Sequence, residues 1–184
     1  MAEIRQLGLE GVLEITPKRF GDARGYFCET WSRRRYAGFG IDVDFVQDNH
    51  SHSAPAGTIR GLHFQAPPHA QGKLVRVVHG AILDVAVDIR RSSPTFGRAQ
   101  ALEVSAEKWN QILVPKGFAH GFLTLVENTE VIYKVSDFYS PEHDRSIRFD
   151  DPRIGIEWPM DASALQLSDK DRNAPLLDGA EIFD

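Results

Sequence analysis

Arg60, His63 and Lys73 stand close together in the stretch Gly57–Gly80, GTIRGLHFQAPPHAQGKLVRVVHG. An imidazole takes up and returns protons near neutral pH. A guanidinium or an ammonium steadies developing negative charge. A base set beside a cation is what proton abstraction next to a carbonyl needs. Strand-type apolar residues flank the three groups: Ile59, Leu62 and Phe64, then Leu74, Val75, Val77 and Val78. Between them QAPPHAQG, with two adjacent prolines, has turn composition. The spacing predicts strand, tight loop, strand, with the ionisable groups carried on the sheet.

The 184 residues fit one domain, 1–184, with a sizeable core. Apolar and charged contents of 42% and 26% are those of a soluble globular protein. A net charge of −5 gives no general attraction to nucleic acid or membranes, so an anionic ligand needs a local basic site. Cys28 is the only cysteine, which rules out an internal disulfide and fits a reducing compartment. No apolar run approaches a membrane span, and MAEIRQLGLEG has no signal-peptide core. The expectation is a cytoplasmic protein.

Along the chain, residues 5–15 predict a first strand, with Leu7, Leu9, Leu13 and Ile15 in one parity and a break at Gly11. PKRFGDARG (17–25) reads as a loop and YFCETW (26–31) as a strand. SRRRYAGFG predicts one short helical turn, N-capped by Ser32 and stopped by Gly38. VDFVQDNHSHS (43–53) precedes the opening stretch, and its His50 and His52, like His69, read as solvent-exposed loop residues. GAILDVAVDIR (80–90) alternates cleanly. Two or three strands follow in 99–127, and TEVIYKVSDFY (129–139) gives another, with Val131, Tyr133 and Val135 on one side. The Asp- and Pro-rich tail reads as ordered loops or a short helix wrapped on the body. Recurrent turns and few short helices make the class all-β, a sandwich or barrel.

GTIRGLHFQ (57–65), GKLVRV (72–77), DVAVDIR (84–90), SPTFG (93–97), VPKGFAHGF (114–122), YKVSDFY (133–139) and LSDKD (167–171) together resemble the dTDP-4-dehydrorhamnose 3,5-epimerases. The resemblance runs in order from about Phe20 to Leu177. It implies a cupin-type jelly roll, a homodimer, and a reaction without metal or organic cofactor. The implied substrate is a dTDP-linked 4-keto-6-deoxy sugar, dTDP-4-dehydro-6-deoxy-D-glucose, inverted at C3 and C5 on the route to dTDP-rhamnose. Both carbons flank the C4 ketone, so the site needs a base on one face, a proton donor on the other, and a cation at the oxygen.

By resemblance His63 is the base and Asp171 the carboxylate that orients it, the logic of a His–Asp dyad. Tyr133 is the donor on the opposite face, and Tyr139 is a second tyrosine close by. Lys73 lies near the C4 oxygen. Arg60 faces phosphate, which suits a guanidinium fork. Arg60 and His63 have opposite parity, so for both to reach one cavity their strand must bulge or twist at Gly61. His120 matches a sugar-site residue. Arg24, Glu29, Gln47, Asp48, Asn49 and Lys170 match nucleotide- or diphosphate-binding positions, with Arg24 and Glu29 supplied across the dimer interface. Asp144, in PEHD, stands where the family often has a longer Glu. Asp84 reads two ways. It is either an edge-exposed carboxylate or, with Ile82 and Ala86 on its face, an inward one that needs a partner, Lys73 across a hairpin.

Three rival readings remain at this level. PKGFAH fits the P-x-G-x-x-H piece of a metal cupin, but LHFQAPPHAQGK offers one His, no second at i+2 and no Glu. A binding-only cupin is at odds with His63, Lys73, Tyr133 and Asp171 standing together. A relative that inverts only C3 or only C5, or acts on another 4-keto sugar nucleotide, shares nearly the same motifs.

Overall fold

Alternation of apolar and polar residues becomes an almost wholly β architecture in the computed structural model, which describes residues 2–184. The strands are β1 (Glu3–Gln6), β2 (Leu13–Thr16), β3 (Arg19–Asp22), β4 (Gly25–Cys28), β5 (Gln47–Ser53), β6 (Ile59–Gln65) and β7 (Lys73–His79). They continue with β8 (Ala81–Asp88), β9 (Ala99–Ser105), β10 (Gln111–Val114), β11 (Phe118–Thr124), β12 (Thr129–Val135) and β13 (Asp144–Ser146). A short helix α1 (Arg33–Ala37) falls between β4 and β5, and another, α2 (Asp169–Arg172), follows β13. One sheet has six strands in the order β1-β2-β10-β7-β12-β5, and the other has five in the order β13-β6-β11-β8-β9. The expected jelly roll is the observed fold. A separate hairpin, β3–β4, stands outside both sheets.

Three apolar clusters explain why the sheets stack. Between them, Val75, Val77, Ile112 and Val131 of one sheet meet Ile82, Ala86, Val104 and Phe122 of the other. Each buried Val, Ile or Phe among them contributes about 1.5–3 kcal/mol. Strand β8 is buried on both faces because its other parity, Val85 and Val87, lies under Ile147, Ile154 and Leu177 of the tail. The tail therefore wraps the outer face of the five-stranded sheet, as its composition suggested. On the far side Tyr36 of α1 and Ile41 pack on Ile15, Leu74 and Leu113.

Several expectations change. Residues 5–15 form two strands rather than one. The chain folds back through Gly11, at φ +80°, and the Leu7 N–H donates to the Val12 carbonyl at 3.0 Å. Arg19–Asp22, read as loop, pairs with β4, and YFCETW stops being strand at Cys28. Helix α1 lies where expected, but Ser32 gives no side-chain cap and Gly38 stays right-handed; the positive φ falls at Gly40. His50 and His52 lie on β5, though exposed. The largest change is that β6 and β7, expected to carry the three ionisable groups on one sheet, lie in different sheets. The loop between them carries the chain from one sheet to the other, as does the turn from β7 to β8.

Candidate active site

The crossing from β6 to β7 puts the first three ionisable residues around one space. Arg60 and His63 come from the five-stranded sheet, Lys73 from the six-stranded sheet facing it. Strand β11 aligns His120 with His63 but Phe122 with Arg60, so β6 spends one extra residue between them. That bulge cancels the parity difference, and both side chains line a cavity of about 480 Å³. Gly61 sits in the bulge at φ +134°, and a Cβ there would lie 2.5 Å from Gly121 Cα. Only glycine meets both conditions.

His63 Nε2 lies 2.5 Å from Asp171 Oδ1. Asp171 is held by α2, where the Ser168 hydroxyl oxygen accepts its backbone N–H at 3.1 Å. Burial pushes the Asp171 carboxyl up, but hydrogen bonds and charge from His63, with help from Ser168 and the Gly61 N–H, outweigh it and the net direction is down. The carboxylate is therefore ionised and accepts from Nε2–H, which leaves Nδ1 as the basic nitrogen of the neutral ring.

Lys73 is buried, and its Nζ donates to the His63 carbonyl at 3.2 Å. Burial pulls its pKa to about 8; Asp84 and Asp144 resist the fall and Lys170 adds to it. Asp84 points inward and is wholly buried, so the edge-exposed alternative is wrong. Its contact is not Lys73 across a hairpin, because β7 and β8 lie in different sheets. His120 Nε2 approaches both Asp84 oxygens, at 2.8 and 3.0 Å. Burial lowers the His120 pKa, against the charge and hydrogen bond of Asp84.

Tyr133, on β12, belongs to the sheet opposite His63 and lines the same cavity. Burial raises its phenol pKa, Arg60 opposes this, and Asp144 adds to it. The ring is thereby kept protonated. Arg60 is braced by the Ser53 hydroxyl at 3.2 Å and the His52 carbonyl at 3.1 Å.

A second lobe of about 270 Å³ shares His63, Lys73 and Tyr133 with the first and extends past Gln47, Asn49, Tyr139, Asp144 and Lys170. Asp144 accepts from Lys170 Nζ at 2.6 Å and from the Tyr139 hydroxyl at 3.2 Å. Asp48 does not join them. Alternation on β5 sends it to the outer face, where Lys134 Nζ donates to it at 2.7 Å. Neither Arg24 nor Glu29 lines the cavity of its own chain. Arg24 is 89% exposed and paired with Asp22, and Glu29 is paired with Arg35. Ser51, Gln166, Ser168, Gln65 and Gln71 also line the two lobes and were not singled out from sequence. The shared parity of Gln65 with His63, and of Ser51 with Asn49, was the available signal. Among the described residues no three His, Cys, Asp or Glu side chains converge to hold a metal ion.

The family model described as dTDP-4-dehydrorhamnose 3,5-epimerase matches residues 6–179. A dTDP-4-dehydrorhamnose 3,5-epimerase of Sinorhizobium fredii is 50% identical, covering 94% of this chain and 88% of its own. The crystal structure of the Bacillus anthracis dTDP-4-dehydrorhamnose 3,5-epimerase, with TDP and PPi bound, superposes with a TM-score of 0.92 at 46% identity, over 96% of this chain and 99% of that one. A dTDP-6-deoxy-D-glucose-3,5-epimerase from Legionella pneumophila, in complex with dTDP-4-keto-L-rhamnose, gives 0.92 at 44% identity over 97% and 94%.

Proposed function

The chain belongs to the dTDP-4-dehydrorhamnose 3,5-epimerase family, and from that premise we propose how its residues divide the work. It is an isomerase of dTDP-rhamnose biosynthesis. It inverts C3 and C5 of dTDP-4-dehydro-6-deoxy-D-glucose to give dTDP-4-dehydro-L-rhamnose.

In this reading His63 Nδ1 removes the proton from the carbon beside the ketone, and Asp171 stabilises the imidazolium that forms. The electron pair of the broken C–H bond moves onto the C4 oxygen, where the Lys73 ammonium holds the enolate. Tyr133 delivers a proton to the opposite face of the same carbon. The resulting phenolate is stabilised by the Arg60 charge and regains its proton from solvent, while the His63 imidazolium releases its proton to solvent. The second carbon repeats the sequence. His120, fixed by Asp84, contacts the sugar. The single observation that carries the reading is the pairing across the cavity: His63 on one sheet, held by Asp171 of α2, Tyr133 on the other sheet, and buried Lys73 beside them.

The nucleotide is assigned to the second lobe. Lys170 meets the diphosphate there, with Arg60 reaching it from the first lobe; Gln47 and Asn49 offer amides, and the exposed ring of Tyr139 offers a face to the thymine. Asp144 acts through Lys170 and Tyr139. Arg24 and Glu29 are assigned to the cavity of a second copy. Hairpin β3–β4 supports this, since Phe20, Tyr26 and Phe27 are 52%, 57% and 70% exposed on it and Arg24 is at its turn. An apolar hairpin of this kind fits a symmetric interface. The proposal thus includes a homodimer of single-domain chains and a cytoplasmic location, which the lone Cys28 fits. No helix among the described residues is long and apolar enough to cross a membrane.

The test is proton exchange in deuterated water with dTDP-4-dehydro-6-deoxy-D-glucose, followed by NMR. Deuterium at C3 and C5 with both centres inverted is the expected result. Deuterium at one carbon would identify a monofunctional epimerase. No exchange would mean that these residues do not perform the chemistry.

A further inference from the structure

We propose that Gln65 is a positioning residue for the nucleotide end of the cavity, tying the segment that carries Tyr139 to the strand that carries His63. Gln65 shares inward parity with His63 on β6 and is only 4% exposed. Its Nε2 donates to the His69 carbonyl at 2.7 Å and to the Phe138 carbonyl at 3.1 Å. Its Oε1 accepts the Ser140 N–H at 2.7 Å. The two backbone groups that flank Tyr139 are therefore held by one side chain. The Tyr139 N–H itself goes to Gln47 Oε1 at 3.1 Å.

Strand β12 ends at Val135, so Tyr139 has no ladder to fix it. Tyr139 is 58% exposed, and packing does not fix it either. The glutamines of the cavity wall take over that work. Removing the Gln65 amide strands two carbonyls and an N–H together. The segment 138–140 then orders only when ligand arrives, and that ordering cost falls on binding. The chemistry at C3 and C5 is assigned to His63, Lys73 and Tyr133, and the Gln65 amide hydrogen-bonds none of them. The signature of a positioning role is therefore weakened nucleotide binding with turnover kept.

This inference rests on the reading above that the second lobe takes the nucleotide. The experiment uses the full chain with dTDP as probe, in calorimetry, alongside steady-state kinetics. Gln65→Met keeps the length and loses every hydrogen bond. Gln65→Glu keeps the acceptor for Ser140 and loses both donors. Each is expected to weaken dTDP binding and raise KM by about tenfold, with kcat within about threefold. In a Tyr139→Ala background the same substitutions should have little further effect on dTDP binding, because Gln65 acts through that ring. Unchanged dTDP affinity and KM in a folded Gln65 variant would overturn the proposal. So would a fall in kcat alone, or an effect that persists in full without Tyr139. Tyr139→Ala alters an exposed side chain and guards against folding defects at position 65: wild-type dTDP affinity in that single variant also overturns the proposal. Failure of the underlying reading has a separate mark, since the unmodified protein would then not bind dTDP.

Discussion

Lys73 carries the clearest conflict between stability and function. In the proposed mechanism its ammonium holds the enolate oxygen, yet burial has drawn its pKa from the usual 10.5 to about 8. Two outcomes follow. The rate should fall as pH rises through about 8, where the ammonium is lost, and a kcat profile between neutrality and pH 10 would read this directly. The stability sign is opposite to that of a paired lysine. Because the folded pKa lies below the unfolded one, the cost of burying the charge is present in full below about pH 8 and is relieved between there and 10.5. Lys73→Met should thus abolish turnover and raise stability at neutral pH, by at most about 3 kcal/mol. Urea denaturation checks the second half, and a destabilised Lys73→Met protein would mean that Asp84 leans on Lys73 as well as on His120. Tyr133 tests the two faces. Burial keeps its phenol protonated, so it has a proton to give to the face opposite His63 in the proposed mechanism. Tyr133→Phe should still exchange substrate hydrogen with solvent through His63 but should not invert the carbon, and NMR in deuterated water separates the two. Full double inversion in that variant would remove Tyr133 from the mechanism.

At the scale of the element, everything turns on the bulge in β6. Gly61 holds φ +134°, and an added Cβ would stand 2.5 Å from Gly121 Cα and 2.9 Å from the His120 carbonyl oxygen. Both neighbours are backbone, so the strand itself must yield. Gly61→Ala should cost about 3 kcal/mol or more in denaturant stability and lose activity with it. A folded, active Gly61→Ala enzyme would show that Arg60 and His63 do not need this geometry. The bulge was legible because two charged residues of opposite parity had to share one cavity. The orientation of Asp84 was legible for a related reason, its apolar neighbours Ile82 and Ala86. Its partner was not, because a sequence does not say in which sheet the next strand will lie. Reading the strands of Lys73 and Asp84 as a hairpin gave Asp84 to Lys73, whereas alternate crossing between sheets gave it to His120. The first strand failed for another reason: one sequence parity runs through Leu7, Leu9, Leu13 and Ile15, but the turn at Gly11 reverses the chain and sends the first two into the inter-sheet core and the last two to its far side. Asp48 was a different matter. Period-two alternation alone separates it from Gln47 and Asn49, and motif matching overrode a rule that a strand obeys.

For the whole molecule, the cavity of one chain is built without two of the residues assigned to its ligand. Arg24 and Glu29 sit on or beside the β3–β4 hairpin and line neither lobe. The hairpin lies outside both sheets, and its rings are largely in solvent. Apolar side chains on a detached hairpin gain from burial against another surface, and a second copy supplies that surface in a closed, self-complementary way. If the hairpin reaches into the partner's cavity, each site of the dimer takes His63 from one chain and Arg24 from the other. Complementation tests this. His63→Ala and Arg24→Ala proteins should each be impaired alone. Mixed, dissociated and reassembled in equal amounts, random pairing makes half of the dimers heterodimers, in which one site carries both defects and the other neither. Turnover should then rise to about a quarter of the wild-type value. If each chain completes its own site, every site in the mixture keeps one defect and the rate stays at the mean of the two parents. A rise above that mean requires a shared site, and its size reports how much of the ligand's hold comes from across the interface.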